Sequence, residues 1–210
     1  MPITKELLRF VKNKTEATAF FETGLLNGDC FGHALNLGFK KVCSIEINQK
    51  FIDLAKVKYG NWMQVGIAHT IADDSANLAL YLDLIGDHKC LFWLDAHLDS
   101  GLETAVKKPA SSCPLKHELE AIAKAKRKDH VIMIDDLRII TDLKSSAWSP
   151  EDDNISSEKF ALDEIKSMIF EINPRYEIEI LDGYLLPFTG RQEQILENDI
   201  LAAFIRPEND

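Results

Sequence analysis

The sequence predicts an α/β protein built on one doubly wound, mostly parallel sheet, and three observations support this. Short apolar segments typical of strands alternate with segments of helical periodicity along most of the 210 residues. The strand segments are apolar almost throughout, which is typical of parallel strands that helices cover on both faces. The last two strand segments have no helix between them, so we expect them to pair antiparallel.

Caps and stop signals set the predicted bounds of each element. Thr4 caps the first helix, in which Leu7, Leu8 and Val11 share a face, and Gly38 and Gly60 are expected to end the second and third helices. In chain order the prediction is helix 4–14, strand 18–22, helix 28–38, strand 40–46, helix 49–60, strand 62–70, helix 73–86, strand 89–95, helix 114–128, strand 130–135, helix 158–172, strand 175–181 and strand 199–205. Residues 98–113 and 141–157 are predicted to be long loops, a class that often carries function.

Composition and charge limit the possible partners. A hydrophobic fraction of 46% and a charged fraction of 28% predict a single globular domain over residues 1–210, with an N-terminal helix in 1–16 and the core in 17–206. The formal net charge of −10 argues against nucleic acid or an anionic membrane as the main partner. The four cysteines lack paired spacing and are expected to be reduced core thiols. No signal peptide or membrane-spanning run is recognisable, so a cytoplasmic location is predicted.

Acidic side chains stand at the predicted carboxyl ends of five strands. Ligands of doubly wound sheets bind beyond those ends, so the acids mark the expected binding edge. Helix capping is the competing interpretation of the pair that follows the third strand. The acids are, in strand order, Glu22, Glu46, Asp73 with Asp74, Asp95, and Asp135 with Asp136.

The stretch from Glu22 to Glu46 predicts a nucleoside-binding corner. Glu46 ends the second strand, where a carboxylate can accept hydrogen bonds from both ribose hydroxyls. Gly24 and Gly28 lie in the turn after the first strand, where glycine permits positive φ and lets a ligand approach the backbone. An ordinary strand–helix turn would also account for the two glycines. Their spacing does not match G-x-G-x-x-G, so a pyrophosphate cradle is not supported.

Five motifs resemble the successive motifs of class I S-adenosylmethionine-dependent methyltransferases: "FFETGLLNGDCFGHAL", "VCSIEIN", "ADDSANL", "LFWLDAH" and "VIMIDD". The resemblance spans Thr18 to Arg206 and implies a Rossmann-like sheet of seven strands in the order 3-2-1-4-5-7-6, with strand seven antiparallel. The first motif departs from E-x-G-x-G-x-G, because Gly28 comes four residues after Gly24. The cofactor-binding residues that the resemblance implies are Glu22, Thr23, Gly24, Gly28, Glu46, Ile47, Asp73, Asp74, Ser75 and Asp95.

The acids after the fourth and fifth strands are similar to those of catechol-type O-methyltransferases. The resemblance implies a Mg²⁺ site at Asp95, Asp135 and Asp136, and hard carboxylate oxygens suit that ion. His97 would act as general base or further ligand, and Asp95 is the second catalytic candidate. Two metal-free alternatives stay open: Asp95 could face the amino group of the cofactor, and the aspartate pair could be a cap or an ion pair with Arg138.

The resulting prediction is an S-adenosylmethionine-dependent methyltransferase that acts on a small molecule, at oxygen, with or without a divalent metal. Trp148, in the second long loop, is a candidate for lining the acceptor pocket. The alternatives are a non-catalytic nucleoside-binding module and a metal-dependent hydrolase on the same fold. Residues alone name neither the methyl acceptor nor the oligomeric state, for which a homodimer is one option.

Overall fold

The computed structural model describes residues 3–97, 105–142, 155, 158–185 and 194–206. Trp148 lies outside these residues. The helices are α1 (Lys5–Thr15), α2 (Asp29–Asn36), α3 (Gln49–Gln64), α4 (Leu115–Lys124), α5 (Leu137–Ile140) and α6 (Leu162–Ile172), with a 3₁₀ helix at Ser75–Ile85. The strands are β1 (Ala19–Thr23), β2 (Lys41–Glu46), β3 (Ala68–Ala72), β4 (Cys90–Leu94), β5 (Val131–Ile134), β6 (Glu177–Leu185) and β7 (Gln194–Phe204).

The strands form one seven-stranded sheet in the order β3-β2-β1-β4-β5-β7-β6. Strands β1 to β5 pair in parallel, whereas β7 runs antiparallel to both β5 and β6. The predicted fold class, strand order and antiparallel tail are therefore confirmed. Because the five parallel strands end at the same edge, their carboxyl ends form a single surface, which we call the carboxyl edge.

Two apolar layers cover the sheet because alternate strand residues point to opposite faces. Phe21 and Phe92 pack on the face covered by the 3₁₀ helix, α4 and α6, and Phe20 and Trp93 pack on the face covered by α1, α2 and α3. All four of these side chains are at most 1% exposed, and burying each large apolar side chain contributes about 2–3 kcal/mol. The four cysteines are free and buried in these layers. No helix among the described residues is long and apolar enough to cross a membrane.

Three predicted helix boundaries were wrong. α4, which was predicted to continue to residue 128, ends at Lys124. α3 continues past Gly60 to Gln64, so Trp62 lies in the helix and not in a strand. A glycine inside a helix costs only about 1 kcal/mol, and the positive φ that ends such a segment occurs at Gly66 (+71°) instead. α6 begins at Leu162, because the preceding Phe160 is buried in the core and its N–H donates to the Ile140 carbonyl at 3.1 Å.

The segment predicted as a helix after β3 forms the 3₁₀ helix, and the last two strands are longer than predicted. Asp74 caps the 3₁₀ helix by accepting a hydrogen bond from the Ala76 N–H, as its sequence position suggested. Pairs from Gly183 with Leu196 to Leu185 with Gln194 extend the β6–β7 ladder towards their connection.

His130 is a buried neutral imidazole at the start of β5. Its Nδ1 accepts a hydrogen bond from the Cys90 N–H at 3.1 Å, and its ring packs edge-on against Phe92 with centroids 5.2 Å apart. Burial lowers the pKa of His130 to about 4, and the partial offset from the Asp129 carboxylate does not reverse that effect. Protonation would remove the acceptor on Nδ1 and place a charge in the core.

We expect His130 to make stability pH-dependent between about pH 6.5 and pH 4. Its pKa is lower in the folded than in the unfolded chain, so the unfolded chain binds the proton first and stability falls as the pH falls. The contribution is roughly 2–3 kcal/mol by about pH 4.5. Urea unfolding of His130→Asn, which keeps an acceptor for Cys90 but does not titrate, should lose less stability than the parent across this range. Parallel pH profiles for the two proteins would contradict the assignment.

Candidate active site

Glu46, at the end of β2, holds the turn that follows β1. Its Oε2 accepts hydrogen bonds from the N–H groups of Leu25 at 2.9 Å and Leu26 at 3.1 Å, and its Oε1 accepts one from Asn48 at 2.7 Å. A carboxylate offers about four lone-pair positions. Three of these positions already accept hydrogen bonds from within the chain. Glu46 can therefore accept from two ribose hydroxyls, as predicted, only if one of the three contacts is given up.

Contacts within the chain account for both predicted loop glycines. Gly24 has a φ of +84°, and a Cβ added there would lie 2.8 Å from the backbone oxygen of Asp95. Gly28 has a φ of +75°, its carbonyl accepts a hydrogen bond from the Tyr59 hydroxyl at 2.7 Å, and an added Cβ would lie 3.0 Å from that ring. The sequence pattern identified both glycines and explained them by the close approach of a ligand. In the structure the immediate reason for glycine at each position is close packing against other parts of the chain.

Glu22 is enclosed by the sheet, away from the ligand-accessible surface. It is 0% exposed, neither of its carboxyl oxygens has a hydrogen-bond partner in the described part of the chain, and its cross-strand neighbour is Ser44 of β2. Burial raises the pKa of Glu22 well above its ordinary value, and the Ser44 hydroxyl offsets this only in part. Thr23, also buried, accepts a hydrogen bond on Oγ1 from the Asp95 N–H at 3.2 Å and thereby links the ends of β1 and β4.

Asp73 is saturated by hydrogen bonds. Oδ1 accepts from the Asp74 N–H at 2.6 Å and the Asn77 amide at 3.0 Å, and Oδ2 accepts from the Tyr81 hydroxyl at 2.6 Å. Lys107 forms an ion pair with the same carboxylate. Burial raises the pKa of Asp73, but Lys107 and Tyr81 outweigh that effect and hold the pKa below its ordinary value. The carboxylate therefore stays ionised.

Residues 105–113, the described part of the first predicted loop, lie across the ends of β2 and β3. Four contacts join the segment to positions that belong to, or adjoin, the set predicted to bind the cofactor, and that set also includes the buried Ser75. A nucleoside at this edge would therefore contact or displace the segment. The contacts are the bridge of Ala105 with Asn48, the Val106 N–H to the Ile47 carbonyl at 2.8 Å, the Lys107–Asp73 ion pair, and the Ala110 N–H to Asp74 Oδ2 at 2.7 Å.

His97 lies between two carboxylates at the ends of β4 and β5. Its Nδ1 is 3.6 Å from Asp95 Oδ1 and 3.7 Å from Asp136 Oδ2, and its side chain is 7% exposed. Burial lowers the pKa of His97, but Asp95 and the neighbouring Cys113 outweigh burial and raise it to about 10. A pKa raised in this direction favours the imidazolium form of His97 at neutral pH. It compensates the carboxylates and carries no free lone pair on Nδ1 with which to act as a base.

The predicted metal trio Asp95, Asp135 and Asp136 is divided between two groups that share Asp136. The first acidic group consists of Asp95, His97 and Asp136, and the second consists of Asp135, Asp136 and Asp199. Within each group the ligand atoms lie within 4.8 Å of one another. Asp136 itself has a left-handed backbone, with a φ of +58°. Positive φ is uncommon for residues other than glycine and costs about 1–2 kcal/mol.

A guanidinium occupies the second of these groups. Arg138 NH1 lies 2.6 Å from Asp136 Oδ1 and pairs with Asp199, whose Oδ1 also accepts from the Arg138 N–H at 3.1 Å. The ion pair with Arg138 that the sequence left open is therefore present. Burial, with added repulsion from Asp95, raises the pKa of Asp135 to about 7. The first group remains the better candidate for a divalent ion.

Sequence reasoning missed Glu118, Cys113 and Asp199 as members of this edge. Glu118 is 1% exposed, and its Oε1 has no hydrogen-bond partner among the described residues. Burial raises the pKa of Glu118 to about 7, although the hydroxyls of Ser75 and Thr23 act to lower it. A signal was present for Glu118, because it falls on the apolar face of α4. Asp199 begins the apolar stretch of β7 and is 0% exposed, so its buried charge required a partner.

Comparison with known proteins shows a likeness of fold. No protein-family model matches the chain, and no curated protein sequence matches it significantly. An O-methyltransferase from Bacillus cereus, solved with S-adenosylhomocysteine, is similar with a TM-score of 0.59 and 14% identity, over 96% of this chain and 80% of that one. An O-methyltransferase of tomaymycin synthesis from Streptomyces achromogenes, solved with S-adenosylmethionine, has a TM-score of 0.54 and 12% identity, over 97% and 79%. A methyltransferase from Podospora anserina, bound to S-adenosylhomocysteine, has a TM-score of 0.53 and 11% identity, over 97% and 78%.

We expect Gly24→Ala to destabilise the fold more than Gly38→Ala. Both residues have positive φ, but an added Cβ at Gly38 meets none of the described residues within 4 Å, whereas at Gly24 it meets the Asp95 carbonyl. Backbone strain alone should cost about 1–2 kcal/mol, and the clash should add about 1–3 kcal/mol. Chemical unfolding of the two variants measures the difference. Equal losses would mean that the contact with Asp95 does not constrain Gly24.

Proposed function

We propose that this chain is an S-adenosylmethionine-dependent methyltransferase that transfers the methyl group to an oxygen of a small molecule. The observation that carries the proposal is the sheet order with an antiparallel β7, combined with acidic side chains at the ends of all five parallel strands. Solved methyltransferases that share this fold are bound to S-adenosylmethionine or its demethylated product. The motif resemblance supports the same assignment independently of the fold.

The cofactor would lie over the ends of β1 and β2, with its ribose towards Glu46. One lone-pair position of that carboxylate remains, and a second becomes available when the turn releases it. The turn is suited to such a release, because Leu26 has a φ of +46° and its side chain is 50% exposed. If a ribose hydroxyl replaced the Leu26 N–H, Glu46 would keep the same number of hydrogen bonds. Leu26 would then be free to leave its left-handed backbone conformation.

The acceptor would lie beyond β4 and β5, beside Asp95 and His97. Its oxygen attacks the methyl carbon, the carbon–sulfur bond breaks, and the cofactor leaves as a neutral thioether. The proton of the acceptor hydroxyl goes to a carboxylate, for which Asp95 is the candidate, because His97 already holds its own proton. The His97 imidazolium would attract the deprotonated oxygen and hold it in line, so alignment and charge compensation supply the acceleration.

The first acidic group has a donor set that a divalent ion could use. Asp95 and Asp136 offer hard oxygens and His97 a nitrogen, while Arg138 already neutralises the second group. A bound Mg²⁺ or Mn²⁺ would lower the pKa of an acceptor hydroxyl. The ion and the proton would compete for His97 Nδ1, so the chain has two alternative ways to compensate the same carboxylates.

Calorimetry tests the cofactor directly. We expect S-adenosylmethionine and S-adenosylhomocysteine each to bind once per chain, in the presence of Mg²⁺ or of a chelator, because the proposed contacts of the nucleoside do not involve a metal. NADH should bind more weakly, since the glycine spacing lacks the pyrophosphate cradle. Tighter binding of NADH, or no binding of either sulfur compound, would refute the proposal.

Glu46→Ala should weaken S-adenosylmethionine binding by about 2–4 kcal/mol, which is a factor of roughly 30 to 1,000. The variant loses the ribose acceptor and also leaves the turn N–H groups unpaired, so its melting temperature has to be measured alongside the dissociation constant. Glu171→Ala, an exposed change on α6, is the matched control and should bind like the parent. Parent-like affinity in a folded Glu46→Ala protein would remove Glu46 from the cofactor site.

Asp95→Asn and Asp199→Asn separate the two acidic groups as metal sites. If an ion uses the first group, titration with Mn²⁺ should give at least tenfold weaker binding for Asp95→Asn. Asp199→Asn should bind Mn²⁺ like the parent, because Arg138 already occupies that aspartate. Each variant is first checked for a cooperative unfolding transition, since Asp199 is buried. Undiminished Mn²⁺ binding by Asp95→Asn would exclude the first group, and absence of Mn²⁺ binding by the parent would leave a metal-independent transferase.

A further inference from the structure

A cavity lies at the opposite end of the sheet from the candidate active site. Its volume is about 470 Å³, within the range of small-molecule pockets. Its walls come from segments that precede β1, β4, β5 and β6 or follow β7, which ends at the amino edge because it runs antiparallel. The lining residues are Glu16, Lys89, Arg127, Asp129, Asn173, Arg175, Ile205 and Arg206.

This cavity, which we call the amino-edge cavity, is lined by more cationic than anionic side chains, although the chain as a whole is acidic. Four of its lining side chains are cationic and two are anionic, whereas the whole chain has a formal charge of −10. The carboxyl edge, by contrast, gathers the acids. The two ends of the sheet therefore favour ligands of opposite charge.

Two arginines are oriented by carboxylates and keep donors to spare. Arg127 binds Asp129 through Nε at 2.9 Å and NH2 at 2.7 Å, and Arg206 Nε lies 2.7 Å from Glu177 Oε2. Arg127 NH1 also donates to the Asp87 carbonyl at 3.4 Å, and Arg206 NH2 lies 3.6 Å from Glu179 Oε1. A guanidinium has five N–H donors, and these contacts leave some of them for a ligand. The side chains are 39% and 60% exposed, so their remaining donors are accessible to a ligand.

Lys89 is a cation of this cavity whose ammonium has no close partner within the described part of the chain. It lies directly before β4 and is half-buried, and among the described residues its ammonium makes no hydrogen bond and no ion pair. Burial lowers the pKa of Lys89, attraction to Asp129 and Glu16 offsets this in part, and Arg127 adds repulsion. Its carbonyl accepts from the N–H groups of Thr18 at 2.9 Å and Ala19 at 3.1 Å, so its backbone is fixed. A bound anion would supply a partner for the ammonium.

We propose that the amino-edge cavity binds a small molecule through a phosphate group, held by Lys89 and the free donors of Arg127 and Arg206. Phosphate suits this set, because its several oxygens can accept from an ammonium and from planar guanidinium groups together. The volume exceeds that of phosphate itself, so a phosphate ester fits better than the free ion. The cavity and the carboxyl edge lie at opposite ends of the strands, so this binding does not depend on the proposed methyl transfer.

Calorimetry with inorganic phosphate, pyrophosphate and glycerol 3-phosphate, a phosphate ester without a nucleoside, at constant ionic strength tests this. We expect saturable binding of one equivalent, with pyrophosphate or the monophosphate ester tighter than phosphate. Lys89→Gln should weaken binding at least tenfold. Lys126→Gln, which removes an 87%-exposed ammonium paired with Asp87 outside the cavity, should change it less than twofold.

Two further readouts separate binding in this cavity from general charge attraction and from damage to the fold. Amide chemical shifts on titration with pyrophosphate should change before β4 and β5 and after β7, and S-adenosylmethionine affinity should be the same in Lys89→Gln as in the parent. Should Lys89→Gln unfold, Lys89→Met and Arg206→Gln carry the same expectation. Non-saturable binding, equal losses in Lys89→Gln and Lys126→Gln, or shifts confined to the carboxyl edge would overturn the proposal.

Discussion

The repulsion among carboxylates at the carboxyl edge is the constraint on which the rest of this site depends. Parallel pairing places the ends of five strands side by side, and each strand delivers an acid there. Two like charges 4 Å apart repel by about 4 kcal/mol at an effective dielectric constant of 20. Three features of the chain reduce this repulsion. Backbone N–H groups donate to Glu46, and cations lie beside Asp73, Asp95 and Asp136. Burial raises the pKa values of Glu22 and Asp135, which favours their neutral forms. Ligands that bring positive charge or donors, such as a sulfonium cofactor, suit an edge of this kind.

The fold could be predicted from the sequence because its signals are local. Apolar strands, helical periodicity and the missing helix before the last strand were sufficient for the sheet class, and the motif resemblance supplied the strand order. The end of α3 was not predictable in the same way. Gly60 is a stop signal in isolation, but in the folded chain it lies inside a helix that packs against β3, and Gly66 provides the turn.

The candidate site was predictable in its acids and not in their partners. The sequence pattern places each acidic residue at the end of a strand. The residues that pair with these acids come from distant segments of the chain. Arg138 meets Asp199 across 61 positions, and Lys107 reaches Asp73 from the segment that crosses β2 and β3. For the same reason the tight contact of Gly24 with the Asp95 carbonyl has no signal in the sequence. These pairings decide which acids stay ionised and which are available to a ligand.

A crystal structure with S-adenosylhomocysteine is the most direct test of whether a nucleoside binds at the ends of β1 and β2 and engages Glu46. We predict ribose hydroxyls within hydrogen-bond distance of Glu46, with the Leu26 N–H released from the carboxylate and residues 105–113 beside or displaced by the nucleoside. A nucleoside bound elsewhere on the chain, with Glu46 still holding both Leu25 and Leu26, would contradict this assignment.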